Sequence, residues 1–268
     1  MSAFASLKLA QIKPLLTAVG SRTSGTKSQL IAQLERDLAV PKLALSKVSP
    51  TRILSVDMGI KNLAFCVCDI KKNTNGFGIK VNEWKKIAVS DYAQQDAVDR
   101  TGVEDPYGPS SLSRTAHHLV KNVLLPYQPD TVLVERQRFR SGGGSAVLEW
   151  TLRVNVFESM IWAVARTLQA EKQSGPQHLW PVDPKQVARF WVGENVTEGR
   201  ISASKSKIEK KQKIDLVRRW LEEGPDDNMA LSFVGHAAET KEAFLSLANG
   251  TRKSSRKEDG ASSVASIP

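Results

Sequence analysis

Ile53-Leu54-Ser55-Val56-Asp57-Met58-Gly59-Ile60-Lys61-Asn62-Leu63-Ala64-Phe65 decides how the rest of the chain reads. The short apolar run at residues 53–56 predicts a strand that ends on one carboxylate, Asp57, and a glycine-containing turn then opens a second apolar strand at residues 63–67. Asp has low strand propensity, so a lone aspartate closing such a run is either a turn former or a metal ligand. This stretch alone leaves both roles open.

A second run, Thr131-Val132-Leu133-Val134, ends in the same way on Glu135, and Arg136-Gln137-Arg138-Phe139-Arg140-Ser141-Gly142-Gly143-Gly144 follows. Two strands thus each present an acid at their C-terminal edge. In a sheet that binds ligands beyond its strand ends, such acids can converge on a hard cation such as Mg²⁺, which takes oxygen ligands. Alternatively, Glu135 pairs with Arg136 or Arg138 on a solvated edge. Phe139, set between two arginines, is placed either to stack on a base or wedge into opened DNA, or to anchor its loop.

The 268 residues are 41% hydrophobic, enough for a sizeable core, and no run approaches the roughly 18 apolar residues of a membrane span. Cys66 and Cys68, as alternate residues of one strand, point to opposite faces and are not expected to bridge. A net charge of +10 and a pI near 9.6 favour a polyanionic partner. The charge is concentrated: Lys205, Lys207, Lys210, Lys211 and Lys213 fall between Arg200 and Trp220, opposed there only by Glu209 and Asp215. Ile208, Ile214, Val217 and Leu221 recur near helical spacing, which predicts a helix with one packed and one basic face. That face either meets phosphate or is simply solvated.

Residues 1–40 carry a separate pattern, two amphipathic helices around a Gly- and Ser-rich turn. Gly20, then Gly25-Thr26-Lys27, then Leu30 resembles the SAP motif, a small helical DNA-binding element; if so, Lys8, Lys13, Arg22 and Lys27 would meet backbone phosphate. Pro14 is expected to disturb the first helix or to mark its start. An acid-poor, Ser-containing amphipathic start also reads as a mitochondrial targeting signal. Residues 41–50 read as a linker, and residues 51–268 as one domain.

The stretches Ser55-Val56-Asp57-Met58-Gly59-Ile60-Lys61-Asn62-Leu63-Ala64, Val134-Glu135-Arg136-Gln137-Arg138-Phe139-Arg140-Ser141-Gly142, Glu149-Trp150-Thr151-Leu152-Arg153-Val154-Asn155 and Val182-Asp183-Pro184-Lys185 resemble the fungal mitochondrial Holliday-junction resolvases, members of the ribonuclease H-like superfamily. The resemblance implies an α/β fold, a ribonuclease H-like mixed sheet flanked by helices. The expected elements are strands at 52–56, 63–69 and 80–88 with a loop at 71–78, a helix at 111–125, a strand at 131–135, a long helix at 147–170 and a strand at 178–182. It further implies a mitochondrial, homodimeric endonuclease that places paired symmetric nicks in four-way DNA junctions. Asp57 would bridge two Mg²⁺ (or Mn²⁺) ions, Glu135 would bind one of them, and Lys61, Arg136, Arg138 and Arg140 would face DNA.

Two aspartates on a C-terminal helix should complete the site. Where that family carries Lys-Lys-Asp-Asp-Leu-Ala-Asp-Ser, this chain reads Arg256-Lys257-Glu258-Asp259-Gly260-Ala261-Ser262-Ser263. Asp259 supplies one acid and Ser262 replaces the other, in a C-terminal end that reads as altered or truncated. A hydroxyl is a far poorer Mg²⁺ ligand than a carboxylate, so junction binding with weakened cleavage is expected. The competing classes are a non-catalytic junction- or duplex-binding protein and another ribonuclease H-like nuclease.

Overall fold

A computed structural model describes residues 3–39, 43, 45, 49–74, 76–93, 107–137, 149–171, 175–193, 203–225 and 228–249, apart from the side chains of residues 93, 150, 203–209 and 248–249. The chain divides into two compact units, one drawn from Met1–Ala44 and Val182–Val217, the other from Leu45–Pro181 and Arg218–Pro268.

The larger unit is built on a six-stranded mixed sheet. β1 (Thr51–Asp57), β2 (Leu63–Asn73) and β3 (Gly76–Ile87) form an antiparallel meander, while β4 (Thr131–Glu135) runs parallel to β1. β5 (His178–Val182) and β6 (Met229–Phe233) complete the order β5-β4-β1-β2-β3-β6. Helices α3 (Ser90–Ala93), α4 (Pro109–His118) and α5 (Glu149–Ala170) fall between β3 and β5, and α8 (His236–Asn249) follows β6. This is the expected ribonuclease H-like mixed sheet flanked by helices.

One face of the sheet is apolar because its strands alternate: Leu54 and Val56 of β1, Phe65 and Val67 of β2, and Val132 and Val134 of β4 all point the same way. They pack against Leu112 and Ala116 of α4 and Phe157, Ile161 and Ala165 of α5. The helix expected over residues 111–125 breaks into three parts. α4 ends at His118, a π-helical turn carries Leu119–Leu124, and a 3₁₀ turn carries Leu125–Tyr127. The widened turn lets Leu119, Val120, Leu124 and Leu125 all enter the core.

Of the loop expected at residues 71–78, residues 71–73 and 76–78 are instead strand. Lys71, Lys72 and Asn73 are polar and exposed, yet they pair with Gly78, Phe77 and Gly76, so the hairpin ladder overrides local composition. β6 and α8 had no counterpart in the sequence reading. β6 adds parallel to β3, and Phe77 N–H donates to the Asn228 carbonyl at 2.8 Å. Gly76 makes this approach possible: at φ +144° it is in glycine's territory, and a Cβ there would stand 1.9 Å from the Asn228 oxygen.

The N-terminal end of β1 is clamped by charge. The Arg52 guanidinium meets Asp69 through Nε (2.7 Å) and Nη2 (3.1 Å), and it reaches the Tyr127 carbonyl at 2.9 Å. Its backbone N–H donates to Asp130 at 2.7 Å, while Asn82 and Lys80 add a hydrogen bond and an ion pair to Asp69. The bonded Arg52 holds the Asp69 carboxyl below the usual carboxylate range. Tyr127 donates to Glu83 at 2.9 Å, and burial together with that carboxylate pushes its phenol up to about 12. Cys66 and Cys68 are free thiols, as expected, and burial raises both, Cys68 to about 12.

In the smaller unit α1 (Leu9–Ala18) and α2 (Lys27–Ala39) form a helical hairpin around the fully buried Ile12, Leu16, Leu30 and Leu34. Pro14 lies inside α1 and does not start it, so of the two expected roles the start is ruled out. The helix is already under way from Leu9, where the Gln11 side chain accepts the Lys8 backbone N–H at 2.8 Å, and burial of Ile12 and Leu16 holds the turn the proline weakens. Ser21 donates to Asp37 and ties the connection to α2. α6 (Pro184–Val192) begins on an Asp183 cap, and α7 (Ala203–Glu223), of which residues up to Val217 belong to this unit, is the helix predicted from the basic segment. Among the described residues no helix is long and apolar enough to cross a membrane.

Candidate functional site

Asp57 is the last residue of β1 and Glu135 the last of β4. The parallel register pairs Ile53 with Thr131 and Val56 with Val134; Asp57 and Glu135 are the next residue of each strand, so continuing the same register sets them on one rung. Residues on one rung share a face and lie about 4.8 Å apart across the strands. Val56 and Val134 turn into the helix-packed core, so Asp57 and Glu135 turn to the opposite face, both half-buried. The sequence expectation of two acids at adjacent strand ends is what the register delivers.

The turn after Asp57 is held from below. Met58 and Ile60 are buried, and the Val89 N–H donates to the Ile60 carbonyl at 3.1 Å. A Cβ on Gly59 would sit 2.5 Å from the Asn62 carbonyl oxygen, so this tight return to β2 excludes any larger residue without a backbone shift. Lys61 is exposed at the tip.

Beyond Glu135 the chain is gripped by α5. The Gln137 N–H donates to the Glu158 carboxylate at 3.0 Å, two residues past the candidate ligand. In the sequence Glu158 registers only as a charge interrupting the apolar run of the long helix; its role depends on a fold-back that the local pattern does not encode. Arg136 is exposed next to Glu135.

The rung extends further across the sheet. Asp57 pairs with Ala64 of β2 and Ala64 with Lys86 of β3, so Glu135, Asp57, Ala64 and Lys86 stand side by side on one face. Lys86 was absent from the sequence reading, because only the register of a hairpin could align it with residue 57.

Arg138, Phe139, Arg140 and Asp259 lie outside the described residues. So do the side chains of Lys205 and Lys207, although both fall on α7. Lys210 and Lys211 are exposed, and Lys213 is half-buried, on a helix whose Val217 and Leu221 are buried. Lys8, Lys13, Arg22 and Lys27 are exposed, and the Lys27 ammonium donates to the Ala5 carbonyl at 2.8 Å.

As a metal centre the rung offers oxygen donors of the type a hard divalent cation takes. Among the described residues no third His, Cys, Asp or Glu joins them to form a ligand cluster. Asp57 and Glu135 would therefore hold a cation from one side. The donor type fits, and the coordination sphere leaves room for water or substrate oxygens, as Mg²⁺ sites commonly do.

Comparison with known proteins identifies the family of the chain. The catalytic family described as mitochondrial resolvase Ydc2 / RNA splicing MRS1 matches residues 53–266. The mitochondrial cruciform cutting endonuclease 1 of Schizosaccharomyces pombe is 28% identical over 97% of this chain and 90% of its own length. Its namesake from Saccharomyces cerevisiae is 23% identical over 80% of this chain and 62% of its own length. The crystal structure of the yeast mitochondrial Holliday junction resolvase Ydc2 superposes with a TM-score of 0.60 at 27% identity, covering 96% of this chain and 90% of that one. The expected resolvase resemblance thus holds in sequence and in fold, and the named relatives are mitochondrial nucleases of branched DNA. This chain belongs to the Ydc2/MRS1 family of mitochondrial resolvase and RNA-splicing proteins.

Proposed function

We propose that this chain is a mitochondrial, divalent-metal-dependent endonuclease that binds four-way DNA junctions and nicks them in symmetric pairs. The single observation behind the reading is that Asp57 and Glu135 each stand one residue past the paired Val56 and Val134, at the C-terminal ends of the neighbouring parallel strands β1 and β4. Two Mg²⁺ or Mn²⁺ ions per site, held by Asp57 and Glu135 with Asp259, would supply an activated water and neutralise charge on the leaving oxygen.

The chain's own residues do the rest. The Gly59 turn and the Glu158 grip fix the two carboxylates, and the exposed Lys61 and Arg136 flank them, where a backbone phosphate would approach. Arg138, Phe139 and Arg140 follow in the sequence and would add two cations and a stacking ring to that contact, and Lys205, Lys207, Lys210, Lys211 and Lys213, which fall on α7, would supply further phosphate contacts. Residues 1–40 form a SAP-like DNA-binding module through Lys8, Lys13, Arg22 and Lys27. Paired nicks require two sites related by a two-fold axis, hence a homodimer. The half-exposed Leu152 of α5, at 52% exposure, supports that helix as part of the interface.

A second reading, nucleic-acid binding without efficient cleavage, rests on Ser262 in the place of an expected aspartate and on the RNA-splicing protein within the family description. One assay separates the two. A synthetic four-way junction incubated with Mg²⁺ should yield paired symmetric nicks that Asp57→Asn abolishes while binding persists. Intact junction bound equally by both proteins would establish the second reading.

A further inference from the structure

β3 carries three lysines, Lys80, Lys85 and Lys86, and the register assigns them different tasks. Lys80 lies 3.8 Å from the Asp69 carboxylate and belongs to the clamp at the far end of β1. Lys85 pairs with Phe65, so it lies on the face that holds the apolar core. Lys86 pairs with Ala64, whose other neighbour is Asp57, and so shares the face and the rung of the two carboxylates. Two strand spacings separate Lys86 from Asp57, about 10 Å between backbones. Only the methyl group of Ala64 stands between them in the row.

Among the described residues no ion pair holds the Lys86 ammonium. Its four-carbon stem lets the charge swing toward Asp57 or away along the sheet edge. A DNA strand lowered onto Asp57 and Glu135 meets two negative groups. A cation fixed beside them offsets that repulsion and determines where the backbone comes to rest, without reading sequence.

We propose that Lys86 contacts a phosphate of the strand engaged at the Asp57–Glu135 rung and positions that strand for cleavage. It is a positioning residue, and the proposal rests on the nuclease reading of the same rung. The two are separable because the contact is electrostatic and is read without metal and without cleavage.

The experiment measures binding of a synthetic four-way junction in EDTA across a series of salt concentrations for wild type, Lys86→Met and Lys86→Arg. Both variants keep a long stem, and thermal unfolding checks that both fold. K86M should weaken binding about threefold to tenfold at fixed salt and lower the slope of log K against log salt by about one per occupied site; K86R should restore both. An unchanged slope and affinity in K86M overturns the proposal. A loss shared by K86R also overturns it, since that assigns the position a packing role. Wild type that binds the junction but leaves it uncut with Mg²⁺ sinks the nuclease reading and leaves the Lys86 result standing. Wild type that binds no DNA sinks both.

Discussion

The two ends of β1 treat charge in opposite ways. At its start Arg52 is answered on several sides, by the Asp69 carboxylate, the Tyr127 carbonyl and, through its own N–H, Asp130. At its finish Asp57 is set on one rung with a second acid, Glu135, of the same sign. The first end is built for stability, because opposite charges with filled hydrogen bonds offset their desolvation. The second brings two like charges to neighbouring strand ends, a repulsion that a cation between them would relieve. A sheet that maintains such a pair gains something other than stability from it, and a shared cation is the chemistry that turns repulsion into binding.

The largest expected effect is at the second end. Glu135→Gln should lower junction cleavage by about a thousandfold or more, in the range seen when a principal electrostatic group is removed, with binding in EDTA kept. Cleavage within tenfold of wild type in a nicking assay would remove Glu135 from the site and dissolve the contrast. At the first end Arg52→Met should destabilise the fold by about 1–3 kcal/mol, because it leaves the largely buried Asp69 short of its main partner. Urea unfolding measures this, and a change below about 0.5 kcal/mol would demote the clamp to an ordinary surface pair.

The clamp also sets a pH dependence of definite sign. Asp69 is held below its unfolded value, so its contribution is fully present above about pH 4 to 5 and fades as the pH falls through the lowered folded value. The stability gap between wild type and Asp69→Asn should therefore be widest near neutrality and narrow in acid. A gap that widens toward low pH would reverse the assignment. The smallest effect sharpens the other side of the contrast: in EDTA, Asp57→Asn should shift the melting temperature by less than about 2 °C, whereas added Mg²⁺ should raise the melting temperature of wild type and not of the variant. A fall of several degrees would mean that Asp57 serves the fold.

The same contrast explains what the sequence could and could not disclose. Asp57 and Glu135 were legible because each closes a short β-branched run, and the end of an apolar run is a local signal. Lys86 and Glu158 were not, since one depends on hairpin register and the other on α5 folding back over the exit of β4. The Arg52–Asp69 clamp joins residues 17 apart, and Arg52 to Asp130 joins residues 78 apart, distances over which composition is silent. Lys71 to Asn73 read as loop because polarity was weighed without the partner strand, and β6 was missed because its few residues become a strand only against β3. The glycine at residue 76 was the one local hint of that close approach.

The most direct measurement is Mn²⁺ binding to the metal-free protein, followed by electron paramagnetic resonance for wild type, Asp57→Asn and Glu135→Gln. A common pocket requires that wild type take up two ions per chain and that each substitution alone markedly weaken the uptake. If either variant binds Mn²⁺ as wild type does, or wild type binds none, the two carboxylates do not share a cation and the account of this rung is wrong.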